Sequence, residues 1–252
     1  MTIMAARGDR TLRTACEVLL SQCRALCAAS AALDGPTLAR AVVLLDDLLN
    51  AIENPTNARN QSWASLLSHR TAGRAHLDEM TTELADNTKL DVLGRLCAAR
   101  TAALASVLAG DLPVSVSNQF GNSHLVDYLR ATLLELALMA LKAGGNTLQP
   151  AALRLCVRSL SQALGERFPG QTIEVRIPPA CAVQVGAFGE GPTHTRGTPP
   201  NVVETDELTW LKLGIGLITL DEALDHGLAT ASGSHYPALE RMLPLIDLSR
   251  LA

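Results

Sequence analysis

Aromatic side chains make up only 3% of the 252 residues, so whatever cores this chain builds must be filled by Leu, Ala and Val. No stretch approaches the roughly 20 consecutive apolar residues of a membrane-spanning helix, which argues against an integral membrane segment. The opening MTIMAARGDR meets charge within its first ten residues and lacks the unbroken apolar core of a secretory signal, so a cytoplasmic location is expected. A basic tail is missing as well. With Lys and Arg scattered and a net charge of −4, the chain lacks the electrostatic footprint of a nucleic-acid binder. Cys-x-x-Cys pairs are absent, and no cysteine stands beside a histidine at zinc-ligand spacing. Cys16, Cys23 and Cys27 recur seven and four apart among Leu19, Leu20 and Leu26, the spacing of thiols on one buried helix face. The six cysteines therefore read as reduced structural groups.

What is present is length and aliphatic content. A chain of 252 residues that is 48% hydrophobic has material for two domains. The first half is helical by pattern. Residues 9–32 carry no Gly or Pro and open at Asp9 or Thr11; Pro36 then starts a second helix, with Leu38, Val42, Leu45, Leu48, Leu49 and Ile52 at helical spacing up to Asn54-Pro55. After the polar connection 55–61, helices are expected over 62–86, 88–109 and 123–143. The Ser/Asn/Gly-rich stretch 113–122 carries no assignable pattern. Helices of this length with short connections pack as an antiparallel bundle. Gly144-Gly145-Asn146 closes it, which divides the chain into domains at 8–146 and 147–252.

From Pro150 a helix runs to Glu166, and the apolar period then changes. Ile173, Val175 and Ile177 alternate with Thr172, Glu174 and Arg176, the mark of a strand with one buried face. A second strand is expected over 181–188. The stretch GPTHTRGTPPNVVETDELTW then packs a basic strand, a double-proline corner, a second strand and a helix start capped by Asp206, with Leu208, Trp210 and Leu211 on its apolar face. Thr219 and Glu222 form a capping box, Leu228–Ser232 a last strand, and Pro237 starts a final helix. This order predicts an α+β domain, with helices on one side of a mixed sheet.

The run THTRGTPPNVVETDELTWLKLGIGLITLDEALDHGLATASG, followed by a segment ending LPLI, resembles the actinobacterial sterol carrier family, a branch of the sterol carrier protein type two fold. The resemblance covers about 150–248 and implies a five-stranded mixed sheet whose helices enclose an apolar cavity. On that basis Leu213, Ile215, Leu217, Leu239, Met242 and Leu243 are the expected lining for an acyl chain or sterol, with His194 or Arg196 nearest its headgroup. Ion pairing of Arg196 with Glu204 or Asp206 across adjacent strands is the structural alternative.

The segment Asp127-Tyr128-Leu129-Arg130 through Glu135 resembles the mycothiol-dependent maleylpyruvate isomerase and DinB-like bundles. Those enzymes hold a divalent metal with a Glu, a His four residues later, and a His from an earlier helix. Here Glu135 is present, but Met139 stands at the His position, Thr132 replaces an Arg, and the second helix has no His. A thioether is a poor zinc ligand, so the resemblance implies a degenerate site with no cofactor. An alternative metal site combines His69 and His76, seven apart on the expected 62–86 helix, with His124 or Asp78. Three functions follow in order of preference: binding of a lipid or other apolar small molecule by the C-terminal domain, a mycothiol-dependent metalloenzyme in the bundle, and a non-catalytic scaffold.

Overall fold

The computed structural model describes residues 9–144, 147–190 and 200–248. They divide into two compact units, Met1–Ala152 and Leu153–Ala252.

The first unit is a helical bundle with one small hairpin. Its helices are α1 (Arg10–Ala28), α2 (Gly35–Glu53), α3 (Trp63–Ala72), α4 (Arg74–Asn87), α5 (Leu90–Leu108) and α6 (Leu125–Lys142), with a short 3-10 turn at Ser30–Ala32. Asp9 caps α1 through bonds from the amides of Thr11 and Leu12, and Asp34 caps α2 through that of Thr37, ahead of Pro36 in its first turn. Two helices form the interior. Residues 37–45 of α2 and 131–140 of α6 are buried without interruption, so these segments show no solvent face at all. α2 packs on α4, α5 and α6, and α1 packs on α5 and α6.

The single helix expected over 62–86 is two, broken at Gly73. A Cβ on that glycine would come within 3.2 Å of the Phe120 ring and of the His69 carbonyl, so packing selects a residue that also weakens the helix. Because of the break, α3 packs on α6 whereas α4 packs on α2. The unassigned stretch 113–122 supplies most of an antiparallel hairpin, β1 (Ser115–Asn118) with β2 (Gly121–His124), turning at Gln119-Phe120. The polar connection 55–61 lies along it, through Thr56 N to Ser115 O at 3.1 Å and Gln61 N to Asn122 O at 3.0 Å.

α7 (Pro150–Arg167), which lies in the second unit from Leu153 on, precedes a sheet of β3 (Ile173–Ile177), β4 (Cys181–Val185), β5 (Val202–Thr205) and β6 (Ala229–Ser232), with α8 (Glu207–Gly214) and α9 (Leu220–Asp225) between β5 and β6. The order is β4-β3-β5-β6, with β3 and β5 parallel and the other pairs antiparallel, so the sheet is mixed as predicted. Among the described residues it has four strands; the basic strand expected before Pro199 lies outside them. Asp206 caps α8, and the Thr219–Glu222 capping box opens α9. The final helix expected at Pro237 is a 3-10 helix, Tyr236–Met242. Leu208, expected on the buried face of α8, is exposed, while Trp210, Leu211 and Leu213 fill the core. The chain after the 3-10 helix returns to α8, where the amides of Leu245 and Ile246 bond to Gly214 O.

Candidate functional site

Each interior helix of the bundle carries one charge within its buried run: Arg40 in α2 and Glu135 in α6. A charge there must be paired, because transfer of an isolated ion out of water is prohibitive. Arg40 meets the requirement with Nη2 and Nε both donating to Glu135 Oε2, at 2.6 and 3.1 Å. Its Nη1 reaches Asp78 Oδ1 on α4 at 2.9 Å. Arg70, delivered by α3, donates from Nη2 to the other carboxylate oxygen, Oε1, at 2.8 Å. Arg74, the first residue of α4, places Nη2 4.0 Å from Oε2. Three guanidinium groups thus surround one carboxylate.

The surroundings are ordered in turn. The Arg70 guanidinium carbon lies 4.9 Å from the centre of the Phe120 ring and 5.1 Å from that of Tyr128, at cation–π distance from both. Tyr128 donates its hydroxyl to Asp47 Oδ2, and Asp47 also accepts from Gln119 at the hairpin turn at 3.0 Å. Arg70 Nε and Nη1 are buried with no hydrogen-bond acceptor among the described residues, Nη1 lying 4.0 Å from Asp47 Oδ2. Burial pushes the Glu135 pKa up, but Arg40, Arg70 and Arg74 together outweigh it and hold the group down at about 2. Burial also lowers Arg74 and raises Tyr128, which keeps the phenol protonated as a donor.

The alternative histidine set does not share one helix face, since the Gly73 break puts His69 on α3 and His76 on α4. His69 Nδ1 is held by Gln61 Oε1 at 2.6 Å, and His124 Nδ1 lies 3.1 Å from Asn60 Nδ2. Among the described residues no three His, Cys, Asp or Glu side chains converge as metal ligands. Met139 is buried on α6, one turn beyond Glu135. The sequence reading passed over Arg40, Arg70 and Arg74. Their signal was available for one of them: Arg40 is the sole charge between Asp34 and Asp46, as Glu135 is between Arg130 and Lys142.

In the second unit Leu213, Ile215, Leu239 and Met242 are buried, and Leu217 and Leu243 half-buried. All six lie on the end of α8, the turn after it, and the 3-10 helix with its cap. His194 and Arg196 fall outside the described residues. Two surface grooves here, of about 290 and 410 Å³, are lined by other residues, the first by Glu204, Asp206 and Leu228 and the second by Gly170, Gly186 and Glu190. Trp210 is the unusual member of this core. It is fully buried, yet its indole N–H has no hydrogen-bond acceptor among the described residues.

Residues 149–245 match the family described as bacterial SCP ortholog. No curated protein matches the sequence. Two solved structures of mycothiol-dependent maleylpyruvate isomerase share the fold. A histidine-to-alanine mutant is 13% identical with a TM-score of 0.53, covering 88% of this chain and 92% of that one. The other is 11% identical with a TM-score of 0.52, covering 81% and 89%. At such identities the likeness is one of fold. Both resemblances read from the sequence hold at this level, the sterol-carrier type in the C-terminal segment and the isomerase type in the fold.

Proposed function

We propose that the C-terminal unit binds an apolar ligand of the acyl-chain class, between the end of α8, the 3-10 helix and the sheet. The observation that carries this reading is Trp210, whose buried indole N–H lacks an acceptor among the described residues. An orphaned buried donor costs about 1–3 kcal/mol, and a carboxylate or carbonyl at the end of an acyl chain relieves it. The match of residues 149–245 to the bacterial SCP family supports the ligand class. Leu213, Ile215, Leu239 and Met242 are buried aliphatic groups that can repack around a chain, and half-buried Leu217 and Leu243 stand at its entrance in this reading. His194 or Arg196 is the headgroup contact in this reading. Burying about fifteen methylenes contributes about 12 kcal/mol, and an association cost of about 4 kcal/mol leaves a micromolar dissociation constant.

The test uses the full chain with Trp63→Phe, which leaves Trp210 as the single tryptophan. Titration with a sixteen-carbon fatty acid is expected to change Trp210 emission saturably, and Leu243→Arg to weaken binding at least tenfold. An emission that does not respond, with no saturable uptake of the fatty acid, overturns the proposal.

In the same reading the bundle holds no catalytic metal. Both oxygens of Glu135 accept from guanidinium groups, and a divalent cation at that carboxylate would face the charges of Arg40, Arg70 and Arg74. The donor set therefore does not suit the metal that the isomerase resemblance implies. Elemental analysis after dialysis is expected to find much less than one zinc or nickel per chain. One tightly held metal, lost on Glu135→Ala, would favour the metalloenzyme instead.

A further inference from the structure

Cys27, in the last turn of α1, faces Cys97 on α5 with their sulfurs 3.4 Å apart. Thr101, one turn beyond Cys97, puts its hydroxyl oxygen 3.3 Å from the same Cys27 sulfur. One face of α5 thus presents two hydrogen-bonding partners to a single thiol. The two cysteines are free but differ in access: Cys97 is buried and Cys27 half-buried.

We propose that Cys27 and Cys97 form a redox-active dithiol, which hydroperoxides convert to an intramolecular disulfide joining α1 to α5. Disulfide sulfurs lie about 2.05 Å apart, so closure needs a movement of about 1.4 Å, within reach of small side-chain rotations on two packed helices. The more accessible Cys27 meets the oxidant first. Its thiolate attacks the peroxide, the O–O bond breaks, and Cys27 becomes a sulfenic acid as water or an alcohol leaves with a proton from solvent. The Cys97 sulfur then attacks the Cys27 sulfur; the S–S bond forms, the S–O bond breaks, and the hydroxyl departs as water with the Cys97 proton. Overall two thiols lose two electrons and two protons to one peroxide.

The electrostatics run in the same direction. Hydrogen bonds from Cys97 and, more weakly, Thr101 pull Cys27 down to about 6 against the opposing effect of burial, while Cys97 is pushed up. This divides the pair into an attacking thiolate and a resolving thiol. Cys16 and Cys23, by contrast, are pushed up by burial to about 11 and about 12, as expected of inert core thiols. The structural reading of the cysteines fits those two.

The experiment treats reduced full-length protein with a small excess of hydrogen peroxide. Thiol titration in denaturant is expected to fall from six per chain to four, and to return to six with dithiothreitol. Mass spectrometry of a digest made without reductant should show Cys27 joined to Cys97. Cys27→Ser should abolish the linked peptide while retaining the circular dichroism of the parent. A titre that stays at six, oxidation of Cys27 that leaves Cys97 reduced, or a disulfide between other cysteines or between chains overturns the proposal. The linked peptide is sought in unmodified protein, so the result stands however the variant folds.

Discussion

Arg70 and Glu135 meet 2.8 Å apart, each side chain 1% exposed, although 65 residues separate them in sequence. A pair so deeply buried contributes little net stability compared with apolar residues of the same shape, but removing one partner strands the other. Glu135→Leu is therefore expected to cost about 3–5 kcal/mol in urea unfolding. Combined with Arg70→Met it should cost clearly less than the sum of the two single losses, because Arg40 keeps Asp78 as a partner. Strict additivity would mean that the contact carries no coupling energy.

Acid should dismantle the same centre. The folded pKa of Glu135 is about 2 against an ordinary value of 4.5. Its contribution is thus complete above the unfolded value and lost as pH falls through the folded one. The expected loss is about 3 kcal/mol between about pH 5 and pH 2. Asp34 and Asp206, whose capping bonds also lower their pKa values, add to it in the same sense. Unfolding midpoints measured at pH 7, 5 and 3 should fall more steeply for the parent than for Glu135→Gln. Parallel curves would refute the assignment.

What could be read in advance was what depends on neighbours in sequence. The aliphatic period of α1 and α2, the change of period at Thr172, the Asp206 cap and the Thr219–Glu222 box all involve residues within a few positions of each other. The Glu135 centre escaped because its partners stand 95 and 65 residues away. The break at Gly73 escaped for a related reason: an isolated glycine costs a helix only about 1 kcal/mol, and the Phe120 ring, far along the chain, decides the matter. The hairpin over 115–124 is short and rich in Ser and Asn, with little strand propensity, and its edge is satisfied by Asn54, which read only as a helix end, and Thr56, which read only as a polar connection.

Gly233 offers a test of the second unit. Its φ is +91°, and a Cβ there would lie 2.3 Å from both Asn201 Oδ1 and Pro200 O. Asn201 cannot retreat, since it is buried, donates to Thr172 O at 2.9 Å and accepts from the His235 amide at 2.8 Å. Gly233→Ala is expected to lower stability by more than about 2 kcal/mol. Gly227 has φ +67° but nothing within 4 Å of an added Cβ, so Gly227→Ala should cost only about 1 kcal/mol. Equal losses would show that backbone strain, and not crowding at Asn201, sets the cost.

The C-terminal unit is expected to fold independently of the bundle. Its helices and sheet pack on one another: an added Cβ at Gly165 of α7 would lie 3.2 Å from Val183 of β4, and one at Gly214 of α8 would lie 2.7 Å from Leu160 of α7. Helix and sheet also meet through Cys181 and Ser161, 3.3 Å apart. Thr147 and Gln149, by contrast, bond to the buried Gln22 of α1, at 3.1 and 3.0 Å, within the first unit. A fragment of 147–252 loses those bonds but keeps the whole of α7, so it should melt cooperatively, with a near-ultraviolet circular dichroism signal from Trp210, its single tryptophan. A fragment of 153–252, which starts inside α7 and drops the buried Ala152, should melt at lower temperature. Helical far-ultraviolet signal without the Trp210 signal in the longer fragment would mean that the unit's core cannot form from its own residues.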